Sequence, residues 1–523
     1  DGDQGLSEFD QDEPLTHEHS NPGGTDMRER IKTPPAPEVV EYVLKPGTLK
    51  YLDRDYPLLM WVNKAHALML VRRQVLTPEV GKILLAAILE MESDGIEKFT
   101  YDPTLEELYL NFEHQLIQKV GADAGGRLHT GRSRNDLFST TTRMAARDAL
   151  ASFLGPLLDL RQVLLDLARE HVDTVMPGYT HLQPAQPTTF GHYLASFSLA
   201  IQRDTERLAE VYPRLNLSPL GAGAFAGTGF PVDRDMTARL LGFDGIVEST
   251  LDAVASRDYV SELLSAMAIL AVTISRLAQD IYLWCSDEWN TVEVADEVAA
   301  TSSIMPQKKN PTPLEHVKGK AGQVMGALVA NLAAQKNVNF MHCRDIAGES
   351  VDPLWGAFEQ AEAMVHLTRK TMQGLQVRKE LMRRRAAEDF STATELADSL
   401  VRETGLPFRT AHAIVGNVVT LALDRELRFD AVTSDLVDEA AREVTGRPIG
   451  LTQDQVESAI DPVRNLEGKR AAGSPAPSET RRLIDLAAQS LDGHRKLVEG
   501  WGQRLQDARD DLERQAAAFV EGT

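Results

Sequence analysis

The chain has 523 residues, of which 43% are apolar and 25% charged, values that suit a globular protein with a large core. Lys and Arg number 55 against 77 Asp and Glu, a formal charge of −22 that argues against nonspecific nucleic-acid binding yet allows a locally basic site. Cys285 and Cys343 are the only cysteines, so neither a disulfide framework nor a zinc pattern is available.

Residues 1–33 are acidic, aperiodic and interrupted by Gly and Pro, and read as a disordered acidic tail. No charged, apolar and small-residue leader opens the chain, and no uninterrupted apolar run approaches the roughly 18 residues that span a bilayer. The expected compartment is the cytoplasm. From Pro34 onward the periodicity is helical. Leu84, Leu85, Ile88 and Leu89 share one stripe, as do Leu154, Leu157, Leu158, Leu165 and Ala168, with a polar gap at Arg161. Ser261 to Trp284 is apolar on more than one face but interrupted by Ser, Arg and Asp, as in a multi-helix bundle. Gly319, Gly322, Gly326 and Ala327 mark a helix built for close approach. An amphipathic helix is expected around Leu483 to Leu505, and no strand-rich block or internal repeat is evident.

Four segments break this pattern, three of them polar and one rich in glycine. His129-Thr130-Gly131-Arg132-Ser133-Arg134-Asn135-Asp136 collects donors with no large apolar group; Arg binds carboxylates bidentately, Asn adds a directional donor, and a Ser or Thr there also suits a helix cap. Gly178-Tyr179-Thr180-His181-Leu182-Gln183-Pro184-Ala185-Gln186-Pro187 presents a histidine between turn residues, as from a loop. Pro219 to Gly227 is a glycine-rich loop without the spacing of a dinucleotide site. Thr301-Ser302-Ser303-Ile304-Met305-Pro306-Gln307-Lys308-Lys309-Asn310-Pro311 combines two hydroxyls, a forced turn, two ammonium groups and an amide. Such a loop can hold a carboxylate and bring a hydroxyl against a C–H bond.

The last segment resembles the signature of the fumarase/aspartase superfamily, with Thr301 where that signature has Gly. Gly125 to Asp136, Gly178 to Pro187, Pro219 to Arg234, Leu251 to Asp258 and Gly405 to His412 resemble argininosuccinate lyases more specifically. The resemblance runs over roughly residues 35–500. It implies an all-α, three-domain subunit with a long central helical bundle: an N-terminal helical domain at 34–131, a central bundle at 132–377 and a C-terminal helical domain at 378–523. It implies a homotetramer whose active sites are each shared by three subunits. No metal or organic cofactor is implied.

The resemblance also assigns roles. Ser302 aligns with the catalytic base, with Ser303 as the fallback. Lys308 and Asn310 would stabilise the aci-carboxylate intermediate. His181, paired with Glu315, would carry the proton of the departing nitrogen. Ser133, Arg134, Asn135 and Thr180 would hold the substrate's fumarate half, and Thr48 adds a hydroxyl where the family has a serine. Where argininosuccinate lyases carry Tyr, Gln and Lys to grip the arginine half, this chain carries His342, Ala347 and Ser350, with Arg344 between them. The fumarate-forming half is intact and the amine-binding half is altered. The expected activity is therefore a carbon–nitrogen lyase cleaving an N-substituted L-aspartate (an N-succinyl amine or aminopolycarboxylate), as in divergent ethylenediamine-disuccinate lyase-type paralogues. The alternatives are a strict argininosuccinate lyase, with His342 or Arg344 taking over the carboxylate, and a non-catalytic crystallin-like structural protein.

Overall fold

The computed structural model describes residues 33–522. The tail expected over 1–33 falls outside them, apart from its last residue. The chain divides into two compact units: one takes the described residues through Thr130 together with those from Arg514 on, and the other runs Gly131–Glu513.

Helices α1 (Leu52–Arg72), α2 (Pro78–Asp94) and α3 (Leu108–Val120) build the first unit. Helix α2 starts where Thr77 caps it ahead of Pro78, and stops at Gly95, whose φ of 77° a side chain would resist. Leu84, Leu85 and Ile88 are buried as their stripe predicts. The Tyr56 hydroxyl donates to the Met91 carbonyl at 2.9 Å and ties α1 to α2.

The second unit is organised by five long helices: α4 (Arg134–Glu170), α5 (Phe190–Leu215), α6 (Asp258–Trp284), α7 (Thr312–Gln335) and α8 (Asp352–Gln373). They pack in the cyclic order α4–α5–α6–α7–α8 and back to α4. By length and composition α6 could cross a membrane, which its interrupted sequence did not announce, but here Leu263, Leu264, Met267, Ile274 and Ile281 are buried in the bundle. Arg161 is not a gap in the α4 stripe. It is fully buried, its Nη1 meeting His494 Nδ1 at 3.2 Å. A separate core around Leu396, Ile414, Val418, Phe429, Val437 and Val456 lies farther along the chain. The last helix, α9 (Pro477–Glu521), is longer than its amphipathic stretch suggested, and its Trp501 stacks on Tyr212 of α5 with centroids 3.8 Å apart.

Strands are few and short. The longest pair is an antiparallel hairpin, β1 (Val175–Thr180) with β2 (Gln183–Thr189), in the segment expected to be a loop. Its register slips between Pro177 and Tyr179, and the intervening Gly178 lies so close to β2 that an added Cβ would stand 2.7 Å from the Gln186 carbonyl. Prolines are tolerated there because a two-stranded ribbon has only edges. Two further pairings matter below: β3 (Val292–Glu293) with β6 (Gln376–Val377), and β4 (Ala300–Thr301) with β5 (Lys309–Asn310).

Candidate active site

The start of α4 is the best-built part of the site. Ser133 caps the helix, its Oγ accepting from Asn135 N at 3.3 Å while its own N–H donates to Asp136 Oδ1 at 2.9 Å. The reciprocal cap holds Ser133, Arg134 and Asn135 at the positive end of a 37-residue helix, where a carboxylate is stabilised. Asp136 is fully buried, and its Oδ2 accepts from Gly221 N and Gly223 N, both at 2.9 Å. Burial pushes its carboxyl up to about 6, against the pull of those N–H groups and of Arg132. The carboxamide of Asn135 donates to the Ala224 carbonyl at 3.2 Å. Helix start and glycine-rich loop are thus one structure.

The signature segment is a short hairpin closed by β4 and β5. Ser302 Oγ accepts from Met305 N at 3.0 Å and from Ile304 N at 3.4 Å. Two backbone donors on one hydroxyl oxygen favour its anionic form. Lys308 and Ser303 are exposed and Asn310 is half-buried. Lys309 is the anchor: its Nζ lies 2.9 Å from Glu293 Oε1 and 2.7 Å from Asp296 Oδ1, and Arg378 Nη2 holds Glu293 Oε2 at 2.7 Å. These partners raise the proton affinity of Lys309 and lower that of Glu293.

Thr180 and His181 stand at the exposed tip of the β1–β2 hairpin. His181 and Leu182 are its two turn residues, both left-handed at φ 54° and 59°. A two-residue turn of this hand favours Asn or Gly, and holding His and Leu there costs roughly 1–2 kcal/mol per residue. Glu315, in the first turn of α7, is exposed and accepts from the Tyr282 hydroxyl at 3.3 Å. Among the described residues of a single chain, no hydrogen bond or ion pair joins His181 to Glu315.

The altered segment folds on itself. Ala347 and Ser350 are fully buried in a helical turn at Asp345–Glu349, where Ser350 Oγ donates to the Ile346 carbonyl at 2.8 Å. His342 is half-buried, and burial together with the charges of Arg257, Arg344 and Arg134 pushes its imidazole down to about 4. His342, Arg344 and Arg134 therefore converge on one basic region, with Arg257 as a member that sequence reasoning did not single out. Arg257 Nη2 donates to Ser139 Oγ of α4 at 2.8 Å. Asp136 and Lys309 were likewise given no role, although the Ser-x-x-Asp spacing of Ser133 and Asp136 is a legible cap pattern. Thr48 belongs to the first unit, where it is buried in a short helical turn at Lys45–Leu49 and contacts the Tyr101 hydroxyl. Among the described residues no three His, Cys, Asp or Glu side chains are grouped to hold a metal ion.

A lyase family model matches residues 59–326, a span that takes in both the helix start at Ser133 and the signature hairpin, and makes this helical protein a lyase. A second model, argininosuccinate lyase C-terminal, matches residues 390–467. Argininosuccinate lyase 1 of Shouchella clausii is 41% identical over 492 residues, covering 94% of this chain and 99% of its own length. The crystal structure of EDDS lyase in complex with formate superposes with a TM-score of 0.84 at 35% identity, over 94% of this chain and 97% of that one. A double variant of EDDS lyase with bound fumarate gives 0.84 at 34% identity, with the same coverage. The chain belongs to the argininosuccinate lyase family of the fumarase/aspartase superfamily and is a carbon–nitrogen lyase.

Proposed function

We propose that this lyase cleaves an N-substituted L-aspartate other than argininosuccinate into fumarate and an amine, reversibly, as a cytoplasmic homotetramer of three-domain subunits. Ser302 removes the proton from the carbon beside the carboxylate, leaving an aci-carboxylate dianion that Lys308 and Asn310 stabilise. The C–N bond then breaks with its electron pair passing to nitrogen, and His181, oriented by Glu315 across a subunit boundary, supplies the proton. Ser133, Arg134, Asn135, Thr180 and Thr48 hold the carboxylates of the succinyl half.

The observation that carries the choice of substrate is the burial of Ala347 and Ser350. Two positions that in the family grip the arginine half are here short side chains packed inside the protein, and the adjacent basic region at His342 and Arg344 suits a carboxylate carried on the amine half of an aminopolycarboxylate. Each missing charge-assisted bond is worth about 1.5–3 kcal/mol. The fumarate bound in the EDDS lyase variant supports the dicarboxylate half. A second reading, argininosuccinate itself, is favoured by the name of the Shouchella clausii relative.

The test is fumarate consumption, followed by ultraviolet absorbance and product mass, with arginine, ethylenediamine and ammonia as amines. Consumption with an amine other than arginine supports the proposal. Consumption with arginine alone makes this an argininosuccinate lyase with a rebuilt pocket. No consumption with a wider amine set would remove the assigned reaction.

A further inference from the structure

The glycine-rich loop has no role in the reaction described above, yet it is the element most firmly joined to the substrate-binding helix start. Asp136 grips it through the N–H groups of Gly221 and Gly223, Asn135 grips it through the Ala224 carbonyl, and Gly227 N closes it on the Ala222 carbonyl at 2.8 Å. Gly223 has φ 65°, and a Cβ there would stand 2.7 Å from the Gly227 carbonyl oxygen, so the ring of residues from 222 to 227 is too tight for a side chain at that point. The apex is Ala224-Phe225-Ala226, all exposed, with Phe225 at 55%.

A single exposed apolar side chain is ordinary. Phe225 differs in the anchoring of the chain beside it, because the carbonyl of the preceding Ala224 accepts a hydrogen bond from Asn135. An asparagine amide has two N–H bonds. One of them in Asn135 goes to the loop, so the other can go to a substrate carboxylate, and a ligand held by Asn135 then lies beside the apex of the loop. An aromatic face accepts methylene groups next to a cationic nitrogen, which is what the protonated amine half of an N-substituted aspartate offers.

We infer that Phe225 is a specificity residue of the lyase: its ring is the face on which the methylene–ammonium stem of the leaving amine rests, and Asp136 is the positioning residue that holds the loop beside Asn135. The inference rests on the proposed addition and elimination of amines at fumarate. Its test is steady-state kinetics of amine addition for wild type, Phe225→Leu and Phe225→Ala, with subunit mass by light scattering. Phe225→Ala should raise the KM for the amine about fivefold, the loss expected for a cation–π face at an exposed site, and leave the KM for fumarate within about twofold. Phe225→Leu should fall between. Unchanged kinetics in both variants, equal rises in both KM values, or dissociation of the oligomer in Phe225→Ala would overturn the inference while leaving the lyase reading intact. A wild type that adds no amine to fumarate would overturn the underlying reading and this inference with it.

Discussion

Asp136 is the residue whose chemistry depends most on its burial. An aspartate at the start of a helix is common, and from sequence alone it is one more polar residue in a polar run. In the fold it is enclosed and satisfied by three backbone N–H groups from two segments. Its folded carboxyl titrates at about 6 against an ordinary 3.8, so between those values the folded state holds a proton that the unfolded chain has lost. Its contribution to stability is therefore full below 3.8 and is lost as pH rises through about 6. Asp136→Asn removes that dependence. The difference in melting temperature between wild type and variant, measured from pH 4 to pH 8, should shift against the wild type as pH rises to about 6 and then level off; a flat difference would show that Asp136 does not titrate in this range. Arg161 teaches the same lesson in reverse. A charge on an apolar stripe reads as an outward gap, whereas the fold buries it and pushes its guanidinium down to about 10. Periodicity registers where a side chain points and not how its charge is accommodated.

Between residues and fold lie the short elements that carry the signature and histidine segments. The helices were legible because their apolar spacing repeats over many turns. The β1–β2 hairpin was not, because Pro177, Gly178, Pro184 and Pro187 are turn signals and the strands are held by pairing rather than by an alternating apolar face. The signature residues were legible as chemistry, but the clamp beneath them was not, since Glu293, Lys309 and Arg378 are far apart in sequence and each resembles a solvated surface charge. Their ion pairs are partly exposed and contribute at most about 1 kcal/mol to stability. Their importance is geometric: Glu293 ties β5, through Lys309, to the chain just past β6, through Arg378, so the base of the hairpin is fixed while Ile304 and Met305 at its tip stay exposed. Glu293→Gln keeps the shape and removes the charge. It should lower kcat roughly ten- to a hundredfold by misplacing Ser302, while the melting temperature stays near that of the wild type. A fall in stability matching the fall in kcat would instead make Glu293 a purely structural residue.

At the scale of the whole molecule a single chain leaves its chemistry divided. Ser302 and Lys308 lie in one hairpin, Thr180 and His181 at the tip of another, and among the described residues the side chains of Thr180 and His181 make no hydrogen bond or ion pair. Helices α6 and α7 expose Ile269, Val272, Met325, Leu332 and Val329, the last at 65%. The small residues of α7 suit close helix approach, yet a Cβ on Gly319, Gly322 or Gly326 would meet nothing within 4 Å in this chain. An apolar, smooth helical face of this kind suits a second copy of the chain, and bringing copies together there is the step that would complete a site from several subunits. Ser302→Ala and His181→Asn should each abolish turnover without changing the oligomer, since both residues are on surface turns. If each site takes its serine and its histidine from different subunits, hybrid oligomers made by co-expressing equal amounts of the two inactive variants contain intact sites, and random assembly should restore about a quarter of wild-type activity. If both residues of a site come from one subunit, every site in a hybrid carries one of the two lesions and activity stays at zero. Val329→Glu supplies the complementary test: if copies of the chain meet on the exposed face of α7, a charge there should yield well-folded, helical assemblies of lower mass that lack activity, and unchanged mass and activity would place the contact elsewhere.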